Sequence, residues 1–521
     1  MERLPDSIRE RTVVDQLRRN ASRDPKKLAL AATSTLKGAC RFSYEALDRA
    51  SNQLANALAD LGIQKGDKIS FLLSNADGAE CLCSYYATHK IGAVNVPTNI
   101  RYVGRELLYI LNNSESKLLI MGEAYVPKIG EIKNQLQHTS RFLVVGENIP
   151  SWAHSYYAVV QKAPENPPSV TVREDDMADM IYTSGTTGEP KGAVFTHGNC
   201  VAAGVSISTA QTLREDDIYQ SAAPFFTSTG CHTNPLSVLA KGASYIFEPE
   251  FNVEKTLETM EKERTTAYLG VPSMFILLLD HPQFARYNLS SLRLLLYGGA
   301  VMPKAVLERI YAAFPRVEMV QLYGLTEGGP GGIVLPNEFA KVKIGAVGNK
   351  GAGFTKFRIV DDHDRDVGPN TVGEIILKGP SIMKEYYKKP AETEEALRGG
   401  WLHTGDLVRM DEEGFVYHLD RKKDIIIRGG FNISSVEVEE VLFKHPAVLE
   451  AAVVAKPHKV LGEDVKAFVV LKEGNEANAL EIMDFCKTQL ADFKVPREIV
   501  FVDSLPKNPM GKVLKTVLRG A

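Results

Sequence analysis

The sequence is poor in cysteine, and its six cysteines lack the spacing of common metal or redox pairs. No two of them form Cys-x-x-Cys, and Cys81 with Cys83 alone is not a zinc pattern. Isolated cysteines are typical of reduced thiols, so we expect a cytoplasmic protein.

The sequence also lacks an apolar run long enough to cross a membrane. Its longest charge-free stretches, residues 192–213 and 220–240, are rich in Ser, Thr, Asn and Gly. A spanning helix needs roughly 20 consecutive apolar residues. The N-terminus, Met-Glu-Arg-Leu-Pro-Asp, has no apolar signal region. We therefore expect no transmembrane segment and no signal peptide.

A basic excess is missing as well, because 61 Lys and Arg face 64 Asp and Glu, a net charge of −3. Proteins that bind nucleic acid usually carry a basic excess or stripe, so no nucleic-acid partner is expected. The apolar fraction of 44% is too high for a disordered chain. At about 150 residues per domain, the 521 residues correspond to roughly three to four domain equivalents.

Strand-like and helix-like segments alternate through the first part of the sequence. Residues 43–61 carry apolar side chains at helical spacing, which predicts an amphipathic helix. Such alternation favours parallel sheets covered by helices. The predicted strands are residues 68–73, 118–121, 142–145, 178–182, 266–270, 292–297 and 319–322.

After residue 343 the pattern changes to alternating strands, at 356–360 and 372–378, which favour antiparallel hairpins. The charged run Asp-Arg-Lys-Lys-Asp at 420–424 is the predicted domain boundary. About 100 residues follow it, which is the size of one small domain. Their pattern is α+β, with helices at 436–443 and 477–490 and extended segments at 449–454 and 465–471.

The strongest motif is the string Tyr-Thr-Ser-Gly-Thr-Thr-Gly-Glu-Pro-Lys-Gly at 182–192, which follows a predicted strand. Its glycines permit backbone conformations that turn several amide N–H groups towards one point. Its Ser and Thr hydroxyls add further donors, and Lys191 adds a cation. This combination is suited to polyphosphate, although it is not the Walker A pattern of Gly-x4-Gly-Lys-Ser/Thr.

The string resembles the phosphate loop of the adenylate-forming superfamily, which includes acyl-CoA synthetases, firefly luciferase and the adenylation domains of peptide synthetases. Five more segments follow in the family's order. They resemble the adenine-binding turn at 297–300, the central nucleotide segment at 321–327, the ribose segment at 401–406, the hinge at 420–424 with the glycine turn at 428–430, and the catalytic-lysine loop at 506–512. The resemblance spans essentially the whole chain.

The resemblance implies a role for most residues of these motifs. Tyr323 offers a flat face to adenine, Asp406 accepts from the ribose hydroxyls, and Glu327 is the expected Mg²⁺ ligand together with Thr183. The implied catalytic residues are Lys512, Thr326, Glu327 and Lys191. The implied ATP- and AMP-binding residues are Thr183, Ser184, Gly185, Thr186, Thr187, Gly188, Lys191, Gly298, Gly299, Ala300, Gln321, Leu322, Tyr323, Gly324, Thr326, Asp406, Arg421 and Lys512.

The fold implied by the resemblance is α/β. Residues 1–419 are expected to form a large N-terminal AMP-binding domain of two parallel-type α/β sheets plus a distorted β-barrel. Residues 420–424 form the hinge, with Lys423 at the hinge position, and 425–521 form a small mobile α+β domain. Arg428, Gly429 and Gly430 are expected on the coenzyme A side. A plain tight turn is the alternative for the two glycines.

The acyl pocket is expected along residues 222–234, with Phe225, Phe226, Thr227, His232 and Gly324 as its residues. Many relatives carry His directly after Pro-x-Phe, where this sequence has Thr227. The alternative is that both phenylalanines belong to the core, and that His232 does so too. The segment has no Asp or Glu, which argues against an amino-acid substrate.

These motifs together predict an AMP-forming acid–thiol ligase, a carboxylate–CoA ligase that uses ATP, Mg²⁺ and coenzyme A. The expected substrate is a short- to medium-chain aliphatic acid or a small cyclic or aromatic acid. One alternative acceptor is a carrier protein, and an alternative substrate class is that of carnitine/crotonobetaine–CoA ligases. A non-catalytic nucleotide-binding protein is the remote alternative, and homodimer formation is left open.

Overall fold

The structure, a computed structural model, describes residues 2–183, 189–299, 302, 304–422, 424–507 and 513–520. The chain divides into two compact units, residues 1–357 with 377–402, and residues 358–376 with 403–521. Eight predicted site residues lie outside the described residues: Ser184, Gly185, Thr186, Thr187, Gly188, Ala300, Lys423 and Lys512.

The first unit contains a nine-stranded sheet. Its six central strands are parallel, and antiparallel strands follow at both edges. The strand order is Lys350–Gly351, Gly332–Leu335, Glu318–Gly324, Leu294–Gly298, Ala267–Gly270, Ile218–Ser221, Ser244–Phe247, Leu28–Ser34 and Gly38–Ser43.

An eight-stranded sheet is the second large element of this unit. It is parallel from Met177–Thr183 onward and antiparallel at its first two strands. The order is Glu385–Tyr386, Lys191–Thr196, Met177–Thr183, Val94–Pro97, Lys68–Leu72, Ser116–Gly122, Arg141–Val145 and His154–Ser155. The prediction of two parallel-type sheets is therefore confirmed.

Helices accompany the strands of both sheets along the chain. Tyr44–Asp60 begins where the Ser43 side chain accepts from the amide of Ala46, and it buries Leu47, Leu54 and Leu58. No helix among the described residues combines the length and apolarity needed to cross a membrane. The α-helices are Val13–Arg23, Tyr44–Asp60, Gly78–Lys90, Gly104–Asn113, Val126–Ile132, Tyr156–Val160, His197–Ala210, Asn234–Lys241, Val253–Glu263, Pro272–Leu279, Lys304–Ala313, Asn337–Ala340 and Pro390–Ala396, and Ala346–Gly348 is a further short strand.

The second unit is α+β, as predicted for its residues 425–521, and it has its own apolar core. Helix Ser435–Phe443 packs on the long hairpin Val448–His458 and Gly462–Leu471, and Val438, Val453 and Val469 are fully buried. Its helices are Ser435–Phe443, Ala479–Lys487 and Lys515–Arg519. One sheet has the order Phe431–Ile433, Ile426–Arg428, Gly462–Leu471 and Val448–His458, with Glu498–Phe501 beside Gly462–Leu471, and a further set of strands has the order Val416–Arg421, Leu402–Met410, Val372–Lys378 and Lys356–Val360.

Candidate active site

The predicted phosphate loop connects two antiparallel strands of the eight-stranded sheet. Met177–Thr183 leads into it and Lys191–Thr196 returns, with Thr183 opposite Lys191 in the register. The Thr183 hydroxyl donates to the Lys191 carbonyl at 3.4 Å, and the Tyr109 hydroxyl donates to the Pro190 carbonyl at 3.1 Å. The strand predicted before the loop is confirmed, and the sheet fixes both ends of the loop.

The Tyr386 side chain contacts both the loop lysine, Lys191, and the predicted metal ligand, Glu327. The Lys191 ammonium lies 4.3 Å from the centroid of the Tyr386 ring. The Tyr386 hydroxyl donates to Glu327 Oε1 at 2.7 Å. Tyr386 is 6% exposed, while Lys191 and Glu327 are half-buried. Two motifs that are far apart in sequence therefore meet within one unit.

The central nucleotide segment is the end of strand Glu318–Gly324 and the turn that follows it. Gln321 is buried, Leu322 and Tyr323 are half-buried, and Gly324 is exposed at the strand end. A Cβ on Gly324 would come 1.9 Å from the Pro330 carbonyl oxygen, so only glycine fits there.

Neighbouring strands bring the predicted adenine turn to the same sheet edge. Gly298 pairs with Leu322, and a Cβ on Gly298 would come 2.6 Å from the Leu322 carbonyl oxygen. Gly299 has φ +75°, a left-handed conformation that favours glycine. The close backbone approach at Gly298 leaves no room for a larger residue.

The acyl segment is held to the rest of the unit by Asn75. The Asn75 amide donates to the carbonyls of Ala222 (3.3 Å), Ala223 (3.1 Å) and Glu248 (3.2 Å), and its oxygen accepts from the Phe225 amide at 2.9 Å. Asn75 is itself buried. One side chain thereby fixes the backbone at the start of the segment.

Of the predicted pocket residues, Phe225 and His232 are fully enclosed, and Phe226 and Thr227 are half-buried. The Phe225 ring packs edge-on against Tyr85 at 5.8 Å. The Thr227 hydroxyl donates to the Pro224 carbonyl at 2.7 Å and caps the local turn. Of the two phenylalanines in the segment, Phe226 is therefore the one whose side chain is partly exposed.

A hydrogen bond between side chains joins the acyl and nucleotide segments. The Thr326 hydroxyl donates to the Ser228 hydroxyl at 3.1 Å. Thr326 lies in the 3₁₀ turn Thr326–Gly328, next to Glu327. The predicted α-phosphate donor is thus in hydrogen-bond contact with the segment that is expected to hold the acid.

His232 belongs to a buried network around the Asp179 carboxylate. His232 and Tyr85 donate to Asp179 Oδ2 at 2.7 and 2.9 Å, and His89 and Asn95 donate to Oδ1 at 3.0 and 2.9 Å. All five side chains are nearly or fully inaccessible. Burial alone raises the pKa of Asp179, but the imidazoles of His89 and His232 outweigh it and hold that pKa well below its ordinary value.

Cys200 completes this network, and its Sγ lies 3.3 Å from Asp179 Oδ2 and 3.8 Å from His232 Nε2. Ligand-type atoms of these three residues lie within 4.8 Å of one another. Burial and the Asp179 charge raise the pKa of Cys200 well above its ordinary value, so the thiol keeps its proton. The cluster is best described as hydrogen bonds converging on a carboxylate, and it ties the acyl segment to the strand before the phosphate loop.

The second unit pairs the predicted ribose residue Asp406 with the predicted nucleotide-binding residue Arg421. Asp406 lies opposite Arg421 in the antiparallel register, and Arg421 Nε is 2.9 Å from Asp406 Oδ1. His418 Nε2 is 3.7 Å from the same oxygen. Asp406 is 3% exposed, so the hairpin presents a carboxylate that is oriented by its neighbours.

The predicted coenzyme A turn is a two-residue hairpin in this unit. Arg428 pairs with Phe431, and Gly429 and Gly430 have φ of +58° and +87°. Two successive positive φ values define a type I′ turn, which by itself accounts for both glycines. Arg428 Nε donates to Asp464 Oδ1 at 2.8 Å.

Sequence reasoning did not identify Tyr386, Asn75, Ser228 or Asp179. Asp179 carried a usable signal, because a lone carboxylate within an apolar strand requires buried partners. Tyr386 and Asn75 carried none, since their roles arise from contacts between segments that are distant in sequence.

Comparison with known proteins matches residues 17–387 to the AMP-binding enzyme family and residues 437–512 to the AMP-binding enzyme C-terminal domain. The chain is similar to the long-chain-fatty-acid–CoA ligase FadD13 of Mycobacterium tuberculosis, 35% identical over 96% of this chain and 97% of that protein. It is 36% identical to a feruloyl-CoA synthase of Amycolatopsis sp. over 94% and 95% of the two chains. Among solved structures, ATP-bound MatB from Rhodopseudomonas palustris is 30% identical, with a TM-score of 0.88 over 98% of each chain.

Proposed function

The chain belongs to the AMP-binding enzyme family, and from this premise we propose that it joins a carboxylic acid to coenzyme A through an acyl-adenylate. The predicted enzyme class, an AMP-forming acid–CoA ligase, is confirmed by the family match and by relatives that are CoA ligases. The observation that carries the residue-level proposal is the meeting of Lys191 and Glu327 at Tyr386.

In the first half-reaction, a carboxylate oxygen of the acid attacks the α-phosphorus of ATP. The bond to the bridging oxygen breaks, and pyrophosphate leaves with the electron pair. We assign Lys191 and the hydroxyls of Thr183 and Thr326 to the phosphate oxygens, because positioned cations and donors supply most of the stabilisation in phosphoryl transfer. We also assign Lys512 to the negative charge of the phosphate oxygens during this transfer.

Glu327 fits the role of Mg²⁺ ligand. Tyr386 engages one of its two carboxylate oxygens, so the other can bind a hard cation at the same time. When bound, Mg²⁺ would neutralise part of the phosphate charge. In the second unit, Asp406 is assigned to the ribose hydroxyls and Arg421 orients it.

In the second half-reaction, the thiol sulfur of coenzyme A attacks the acyl carbonyl carbon. The bond to the phosphate oxygen breaks, AMP leaves, and the thiol proton goes to solvent. We assign the turn Arg428-Gly429-Gly430 to the pantetheine arm, because glycines allow close backbone approach. A carrier protein is the alternative acceptor.

We propose an uncharged short- to medium-chain aliphatic, small cyclic or aromatic acyl group. Phe226 and Thr227 are half-buried and the segment carries no acidic side chain, so it offers apolar contact and no partner for a cationic substrate. Phe225 packs in the core, which leaves one fewer aromatic ring for a quaternary ammonium.

The test is a pyrophosphate-release screen over a panel of carboxylic acids, each with and without coenzyme A and with a pantetheinylated carrier protein. We expect release with a subset of apolar acids and a thioester only when coenzyme A is added. Thioester on the carrier alone would overturn the proposed acceptor, and release with none of the acids would overturn the proposed substrate class. A cytoplasmic location is part of the proposal and is checked by cell fractionation.

A further inference from the structure

We propose that Tyr386 is a positioning residue that sets both the Mg²⁺ ligand Glu327 and the phosphate-loop cation Lys191. The inference rests on the proposed function, because that function gives these two residues their roles. Tyr386 lies outside the six sequence motifs described above, and two of its side-chain contacts are with the machinery of the first half-reaction.

The hydroxyl of Tyr386 acts on Glu327. A carboxylate can turn about its last side-chain bond, so an unheld Glu327 would sample several orientations. The 2.7 Å hydrogen bond to Oε1 removes that freedom and is charge-assisted, which makes it stronger than a neutral hydrogen bond. The second oxygen is thereby oriented before any cation binds.

The ring of Tyr386 acts on Lys191. A lysine side chain has many rotamers, and that freedom is lost when the side chain is ordered on a phosphate. With its ammonium 4.3 Å from the ring centroid, Lys191 has already lost part of that freedom in the absence of ATP. An ammonium over a ring keeps N–H donors for a phosphate oxygen.

The backbone around Tyr386 is built to hold both contacts at once. Strand Glu385–Tyr386 pairs with the return strand of the phosphate hairpin, with Tyr386 opposite Ala193. Just before it, the Met383 amide donates to the Glu327 carbonyl at 2.9 Å. The segment is therefore hydrogen-bonded to the phosphate hairpin and to the metal-ligand turn.

The neighbouring tyrosine supplies a matched control. The Tyr387 hydroxyl also donates to a glutamate, Glu115 Oε2, at 2.6 Å. Glu115 has no assigned role in the reaction. Tyr387→Phe therefore removes a hydroxyl–carboxylate hydrogen bond of the same kind from the next residue, without touching Glu327 or Lys191.

The experiment measures ATP binding to the full chain by isothermal titration calorimetry, first in EDTA and then with saturating Mg²⁺. Tyr386→Phe keeps the ring, so its affinity in EDTA should equal that of the wild type. Its gain in affinity on adding Mg²⁺ should fall by about five- to tenfold. Tyr386→Leu should also lose about threefold in EDTA, and Tyr387→Phe should match the wild type in both conditions.

A wild-type Mg²⁺ response in Tyr386→Phe, or the same loss in Tyr387→Phe, would overturn the role of the hydroxyl. Wild-type affinity of a folded Tyr386→Leu in EDTA would overturn the role of the ring, and Tyr386→Phe keeps the test decisive if the leucine variant does not fold. A wild type that binds ATP but activates no acid would overturn the proposed function and not this inference. A wild type that binds no ATP would overturn both.

Discussion

Replacing Glu248 by glutamine should stabilise the protein progressively as the pH rises. Glu248 follows strand Ser244–Phe247 and is 4% exposed. Its carboxylate accepts hydrogen bonds from the Gln220 amide and from the Thr256 hydroxyl, the latter at 2.9 Å. Both partners are uncharged, so they offset only part of the cost of desolvating a buried negative charge.

The magnitude follows from the pKa. Burial raises the pKa of Glu248 from its ordinary 4.5 to about 7, and the two hydrogen bonds only partly oppose it. Between these values the folded state binds more protons than the unfolded state, so the contribution of Glu248 to stability is lost as the pH rises towards 7. The full loss is about 3 kcal/mol at 1.36 kcal/mol per pH unit.

Glu248→Gln removes this titration while keeping a side chain of the same shape. The stability difference between the variant and the wild type, from urea unfolding, should grow by about 2–3 kcal/mol from about pH 5 to about pH 8. Glu250 lies two residues further and is exposed. Glu250→Gln removes the same charge without a buried group, and it is the matched control.

A stability difference that stays flat over this pH range would refute the reasoning, and so would one that grows towards acid pH. The result bears on the acyl segment, because Asn75 holds that segment and the Glu248 carbonyl together. If the buried Glu248 charge loosens this segment, acyl-group binding at neutral pH should be tighter in Glu248→Gln than in the wild type.

Lys512→Ala should abolish pyrophosphate release while sparing thioester formation from supplied acyl-AMP, and equal loss of both would contradict its assigned role. Asp179→Asn should lower the free energy of unfolding by about 2–4 kcal/mol in a urea titration. Buried donors now contact both carboxylate oxygens of Asp179, and the asparagine amide has only one oxygen to accept from them. A variant as stable as the wild type would contradict this account. Gly324→Ala should weaken ATP binding in a calorimetric titration, since its Cβ would meet the Pro330 carbonyl at 1.9 Å, whereas Gly130→Ala has open space and should bind ATP normally.

Elements with one apolar face were predictable from sequence. The helix predicted over 43–61 is Tyr44–Asp60, and the strands predicted at 356–360 and 372–378 have these bounds in the structure. In the helix, the period of apolar residues matches the face that is buried. In such a segment, the polarity of each residue in the sequence matches its burial in the structure.

Helix Gly78–Lys90 was not predictable because it is buried on all sides. Its polar residues occupy core positions through specific partners, and Lys90 donates to Asp48 Oδ1 at 2.7 Å and to Asn52 Oδ1 at 2.6 Å. Burial lowers the pKa of Lys90 to about 8, with Asp48 opposing the shift. Such a helix shows no alternation of polar and apolar faces, so periodicity cannot reveal it.

The site divides in the same way. The strand before the phosphate loop was predictable because it is a short apolar stretch of continuous sequence. The return strand Lys191–Thr196 and the strand Leu402–Met410, which carries Asp406, were not predicted. Tyr386 is one of two adjacent tyrosines, and only the tertiary fold distinguishes the one that reaches Glu327 from the one that reaches Glu115.

The return strand after the phosphate loop has a consequence for how anions are bound. Where a glycine-rich loop opens directly into a helix, the aligned peptide dipoles of that helix add roughly half a positive charge at its N-terminus. Here the six residues Lys191–Thr196 are extended, and the next helix begins only at His197, where it is buried. Among the described residues, no helix begins directly after this loop, so the phosphates that we assign to the loop gain no macrodipole from such a helix. Their charge must be balanced by side-chain cations and individual N–H groups. The position of Lys191 therefore matters more than the position of a lysine would in a loop that opens directly into a helix.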